Sequence, residues 1–169
     1  MKCFSMLLTV ALVLAVSTVA VAQGVTKYVR YEYNGTVSYG ILEGETIYQL
    51  RGNIFESPSR TGNAVQMSDV RLLTPTAPKK VVAAGFNYRS HIGEQNPAEY
   101  PGLFDKHATS LIPHEAEITY YEDASNLHYE GEMVLIIGKT AKNVSVSNAP
   151  DYIFAVAPGN DVSERVWQG

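Results

Sequence analysis

Two glutamates stand two residues apart in Leu127-His128-Tyr129-Glu130-Gly131-Glu132, immediately before the apolar run Met133 to Ile137. On a strand, side chains alternate between faces, so Glu130 and Glu132 share a face at a separation of roughly 7 Å. Two carboxylates on one face repel. If that face is buried, a cation, raised pKa values or access to solvent must offset the repulsion. A hard divalent ion held by oxygens is one reading, and a solvated strand face with polar residues at alternate positions is the other. A second acidic element, Asn160-Asp161-Val162-Ser163-Glu164-Arg165, places Asp161 at a turn after an expected strand. A third holds His91 and Glu94, which three residues apart on a helical turn would lie on one side and could hydrogen-bond. A carboxylate sets the tautomer and basicity of such an imidazole, which suits it to activating water, although surface pairs at this spacing are common.

These residues need elements to position them. Tyr28 to Tyr33 and Thr36 to Leu42 alternate β-branched or aromatic residues with polar ones around Asn34-Gly35, which takes the positive φ values of a two-residue hairpin turn. After a turn at Glu43 to Glu45, Thr46 to Leu50 completes a three-stranded meander, and Arg51 to Asp69 reads as a polar connection. The prolines at 75 and 78 interrupt regular pairing. Beyond them, Val81 to Gly85 reads as a buried strand and Tyr88 to Gln95 as a helical turn stopped by Pro97. Strands are expected at Glu117 to Tyr121 and Tyr129 to Ile137, and a short helix at Asn148 to Phe154, capped by Asn148 with Pro150 in its first turn. The fold class expected is mainly β with short helices. It comprises a small antiparallel module at 23–74, a proline-containing linker at 75–80 and a larger strand-rich unit at 81–169.

The 169 residues, 46% of them apolar, call for a packed core. A formal charge of −4 with acids and bases interspersed offers no basic stripe, which argues against nucleic acid as a partner. Residues 1–22 read as a secretory signal: a basic start at Lys2, an apolar run from Leu7 to Val19, and small residues in Ala20-Val21-Ala22. The run is short for a membrane span, so export to a periplasmic or extracellular space is expected, with no membrane attachment after cleavage. Cys3, the single cysteine, would leave with the signal, so no disulfide is expected. His107, His114 and His128 have no partner at ligand spacing and read as solvent or turn residues, and Trp167 as a core residue.

Taken together, Gly85-Phe86-Asn87-Tyr88-Arg89-Ser90-His91, Leu103-Phe104-Asp105-Lys106, Tyr129-Glu130-Gly131-Glu132 leading into Ile136-Ile137-Gly138-Lys139, and Asn160-Asp161-Val162-Ser163-Glu164-Arg165 resemble, in order and spacing, the motifs of the fumarylacetoacetate hydrolase family. The resemblance runs from about Lys27 to the last residue. It implies the front part of that family's mixed β-sandwich or roll, preceded by its small N-terminal β module. It also implies that Glu130, Glu132 and Asp161 bind a divalent metal, Mg2+ first, with Mn2+ or Ca2+ as alternatives. His91 and Glu94 would position or deprotonate a water, and Lys106, Arg165 and Gln168 would face the substrate. The implied substrate is a small 2-oxo or β-diketo carboxylate. The implied activity is hydrolysis of a carbon–carbon bond in an acylpyruvate-like compound, or else isomerisation, tautomerisation or oxaloacetate-type decarboxylation by the same metal. A homodimer is implied for the full-length form. Relatives continue well past the Asp-Val-Ser-Glu-Arg motif, so a fragment with exposed sheet edges is expected. The reading of another class is a non-catalytic exported β-rich binding protein or an inactive fragment.

Overall fold

The computed structural model describes residues 24–168, so the expected signal and Cys3 lie outside the described residues. Strands β1 (Lys27–Tyr33) and β2 (Thr36–Glu43) form the hairpin that Asn-Gly predicts, paired from Lys27–Leu42 to Tyr33–Thr36. Asn34 (φ 47°) and Gly35 (φ 74°) both take the left-handed conformation that this tight turn requires. β3 (Thr46–Arg51) follows, but two further strands flank the meander, β4 (Ser59–Gln66) and β5 (Arg71–Leu72), giving a five-stranded sheet in the order β4-β3-β2-β1-β5. The sequence Ser-Arg-Thr-Gly-Asn-Ala-Val-Gln has no apolar alternation, so β4 reads as a loop when taken alone. Its ladder with β3 and its side-chain bonds make it a strand: Thr61 Oγ1 and Asn63 Nδ2 both donate to Gln49 Oε1, at 2.9 and 3.0 Å. A polar strand at a sheet edge also discourages pairing with another chain.

Among the described residues, the buried apolar core is Tyr31, Ile47, Leu50 and Ile54, with Ile47 at 0% exposure. Gly40 in β2 makes room for it. A Cβ there would collide with Ile47 Cγ2 and lie 3.0 Å from the Tyr48 carbonyl oxygen and 3.3 Å from Tyr31 Cε1.

Beyond the prolines, β6 (Val81–Gly85) pairs with β7 (Gly102–Lys106), and the connection between them carries the short helix α1 (Arg89–Ile92). The strand expected at Tyr129 to Ile137 is interrupted. β8 (Leu127–His128) is separated from β9 (Gly131–Ile137), because their partners β11 (Ser163–Glu164) and β10 (Ile153–Asn160) are themselves separated by Asp161-Val162. Both ladders keep one register, His128 opposite Ser163 and Gly131 opposite Asn160. The interruption therefore sets Glu130 opposite Asp161.

Three other expectations are corrected. Residues 117–121 form no strand; no described segment pairs with them, and Ile118, Tyr120 and Tyr121 are exposed. The helix near Pro150 is a 3-10 helix, Val146–Tyr152, starting after Ser145 and not at Asn148. Trp167 is half exposed against Tyr121, at a centroid distance of 5.9 Å. The five-stranded sheet meets the rest of the chain at Phe154 in β10, whose ring lies 5.1 Å from Tyr28 and 5.2 Å from Phe55. No described helix is long and apolar enough to cross a membrane.

Candidate functional site

Glu130 is pinned from the strand across it. Its backbone N–H donates to Asn160 Oδ1 at 2.9 Å, and its carbonyl accepts the Asp161 N–H at 2.9 Å. Its carboxylate Oε1 accepts the Ser163 hydroxyl at 2.8 Å and lies 3.0 Å from Arg165 Nη2. Arg165 also donates from Nη1 to Gln168 Oε1 at 2.8 Å. The Asp161 N–H bond to the Glu130 carbonyl, beside the pairing of Gly131 with Asn160, brings the Asp161 backbone against that of Glu130, two residues before Glu132. Gly159 stands opposite Glu132, and a Cβ there would come 2.6 Å from Val134 Cγ2.

Two cationic side chains answer this charge: Arg165 on Glu130, and Lys106, at the end of β7, whose ammonium bonds Asp161 Oδ1. Burial raises the Glu130 carboxyl. The Ser163 and Arg165 hydrogen bonds and the charges of Arg165 and His91 outweigh that and hold it below the usual carboxylate range.

His91 lies on α1 across an open cleft of about 400 Å³, lined also by Tyr88, Tyr129, Glu130, Glu132 and Arg165. The segment leading into α1 contains Phe86 at φ 54°, unusual for an aromatic residue, and the Phe86 ring lies 5.5 Å from the His91 ring. Glu94 is not brought to His91. α1 ends at Ile92, Gly93 turns the chain at φ 61° and ψ −128°, and Glu94 lies beyond the turn, off the helical register that would align the pair. No His91–Glu94 hydrogen bond forms among the described residues. His107 and His114 are exposed, and His128 bonds Asn126 Oδ1 at 2.9 Å, in keeping with solvent and turn roles. A second depression of about 170 Å³, beside Phe55, Lys139, Asp151 and Phe154, has a single carboxylate and no histidine.

Reasoning from sequence passed over Ser163 and Glu164. Both sit inside the Asn-Asp-x-Ser-Glu-Arg motif, but a serine and a glutamate carry no ligand signal until their partners are known. Glu164, at 9% exposure, is the single buried charged residue among the described residues. Oε1 accepts the N–H groups of Ser125 (3.0 Å) and Asn126 (2.6 Å), and Oε2 accepts that of Trp167 at 2.7 Å. Burial raises this carboxyl, but the backbone donors of Trp167, Ser125, Asn126 and Val166 outweigh it and hold it low.

Comparison with known proteins matches the family profile "Fumarylacetoacetate (FAA) hydrolase C-terminal" over residues 80–169, and "Rv2993c-like, N-terminal" over residues 26–75. The chain belongs to the fumarylacetoacetate hydrolase family. Among relatives, Protein Rv2993c of Mycobacterium tuberculosis is 36% identical over 138 residues, covering 76% of this chain and 52% of that one. Oxaloacetate tautomerase fahd2, mitochondrial, of Xenopus laevis is 33% identical over 129 residues, covering 74% and 39%. Among solved structures, the 2-hydroxyhepta-2,4-diene-1,7-dioate isomerase of Mycobacterium marinum superposes with a TM-score of 0.76 at 33% identity, over 85% of this chain and 57% of that one. The chain thus has the family fold and spans about half the length of the relatives it matches, or less. The family consists of enzymes, isomerases, tautomerases and hydrolases among them, that generally depend on a divalent metal.

The chain's own donors can be tested against such a metal. As placed, no three described His, Cys, Asp or Glu side chains surround a common centre. Glu130 and Asp161 instead engage Arg165 and Lys106. Glu130, Glu132 and Asp161 nevertheless supply hard carboxylate oxygens from neighbouring stretches of backbone, and among the described residues neither Glu130 Oε2 nor Asp161 Oδ2 accepts a hydrogen bond. The donor set fits a hard divalent cation.

Proposed function

We propose that this chain forms part of a divalent-metal enzyme that acts on a small 2-oxo or β-diketo carboxylate through its enolate. The observation that carries the reading is that Glu130 and Glu132 line the same cleft as His91 and Arg165, with Asp161 joined through its N–H to the Glu130 carbonyl. Glu130, Glu132 and Asp161 would hold the ion, Mg2+ first and Mn2+ or Ca2+ as alternatives. When bound, the ion would supply Lewis-acid polarisation of the 2-oxo carbonyl. His91, exposed to the cleft, takes a proton from the carbon next to that carbonyl and returns one. Arg165 and Gln168, already bonded to each other, present donors to the substrate carboxylate. Hydrolysis of an acylpyruvate-like carbon–carbon bond needs, in addition, a water held by a base. That part would fall to Glu94 if α1 reorders over substrate.

The second reading is tautomerisation or isomerisation, which needs proton transfer alone. It is favoured by the tautomerase and isomerase among the relatives and by His91 standing in the cleft without Glu94. We further propose that the protein is exported through residues 1–22 and that its partners are a small-molecule substrate and a second copy of the chain in the full-length form.

Isothermal titration with Mg2+ and Mn2+ tests the metal ligands. Glu130→Gln with Glu132→Gln should abolish binding, and unchanged binding would refute the assignment. Product analysis with oxaloacetate enol and with an acylpyruvate separates the readings, since turnover without carbon–carbon cleavage marks the second. Absence of turnover on both, in a protein that binds metal, would refute the catalytic reading.

A further inference from the structure

The Glu130 carboxylate is asymmetric in its environment. Both of its donors, the Ser163 hydroxyl at 2.8 Å and Arg165 Nη2 at 3.0 Å, fall on Oε1, while Oε2 accepts nothing among the described residues. The two donors are not equivalent. Arg165 ends a long flexible side chain that also reaches Gln168, and a substrate carboxylate could recruit it. Ser163 has a one-carbon side chain fixed in the β11 ladder opposite His128. A single hydroxyl proton serves one acceptor, and the alternative, the Asp161 carbonyl at 3.4 Å, is much the poorer. Asn160 Oδ1 and the Asp161 N–H already fix the backbone of Glu130.

We propose that Ser163 is a positioning residue that locks the Glu130 carboxylate by one oxygen and leaves the other free for a divalent cation, both in the resting site and when Arg165 has turned to substrate. The proposal rests on the metal reading above. A ligand whose orientation is set in advance binds more tightly, and loss of such an outer partner typically weakens metal affinity roughly 10- to 100-fold.

Isothermal titration with Mn2+ is carried out on the wild-type chain, Ser163→Ala, Ser163→Val, Ser163→Thr and Glu132→Gln, each checked for an unchanged far-ultraviolet circular dichroism spectrum. Ser163→Ala and Ser163→Val should weaken Mn2+ binding roughly 10- to 100-fold, and Ser163→Thr should stay close to wild type. Thr and Val have nearly the same shape, so their difference reads the hydroxyl even if the alanine variant folds poorly. Wild-type affinity in the Ala and Val variants, with binding lost in Glu132→Gln, would overturn the role of Ser163 and leave the metal site standing. Binding that Glu132→Gln also leaves untouched would instead remove the metal reading, and the proposal with it.

Discussion

Replacing Arg165 by Met tests how firmly charge holds the centre of the site. The guanidinium lies 3.0 Å from Glu130 Oε1, with side-chain exposures of 24% and 21%. At that distance two unit charges attract by about 5.5 kcal/mol at an effective dielectric of about 20. Desolvation of both groups offsets most of this, and residual solvent screens part of the rest. The expected loss at pH 7 is therefore about 1–2 kcal/mol, between surface and fully buried pairs. The sign with pH follows from Glu130, whose carboxyl is held below its ordinary value of 4.5. The stability it contributes is complete above that value and disappears as pH falls through the lowered folded value. The gap between wild type and Arg165→Met should thus be widest near neutrality and shrink in acid. Urea unfolding followed by circular dichroism, on a cycle of Arg165→Met, Glu130→Gln and the double variant, measures the coupling. A coupling within about 0.3–0.5 kcal/mol of zero at pH 7, or a gap that persists in strong acid, would refute the reasoning.

Gly40→Ala should destabilise the five-stranded sheet by about 1–3 kcal/mol, because its methyl group meets Ile47 Cγ2 and the Tyr48 carbonyl in a filled core; a lowered urea midpoint at unchanged slope is the readout. His91→Ala should lower kcat by about 10²- to 10⁴-fold in a metal-loaded full-length form while leaving Mn2+ affinity near wild type, and equal losses of both would make His91 a ligand and not a base. Glu164→Ala should free the Ser125, Asn126 and Trp167 amides, seen as faster hydrogen exchange at those three positions. In the wild type the same protection should persist down to acid pH and fall as Glu164, held low, gains its proton.

Local chemistry was legible wherever one residue type has one dominant conformational use. Asn34-Gly35 fixed the hairpin, and the alternation of Tyr28 to Leu42 fixed its strands, because these signals depend on neighbours two to four residues away. β4 escaped notice for the opposite reason: its polar residues become a strand through bonds to Gln49, more than ten positions distant in sequence. The apolar run ending at Ile137 showed a strand but not its interruption at Tyr129-Glu130, which is set by where the partner strand breaks. Glu94 shows the limit of spacing arguments. An interval of three residues aligns side chains only while the helix lasts, and Gly93 ends it.

The sequence by itself determined the family, the strand-rich class and the identity of the acidic and basic residues from which a site could be built, since motif order and side-chain chemistry are properties of the chain. Tertiary structure decided which of them meet. A shared register across two separate ladders set Asp161 against Glu130 and brought Ser163 and Arg165 onto the Glu130 carboxylate, while the end of the separate β6-β7 pair brought Lys106 onto Asp161. Contacts between residues 33 to 55 positions apart depend on how strands pair and pack, which is a property of two segments that neither carries alone.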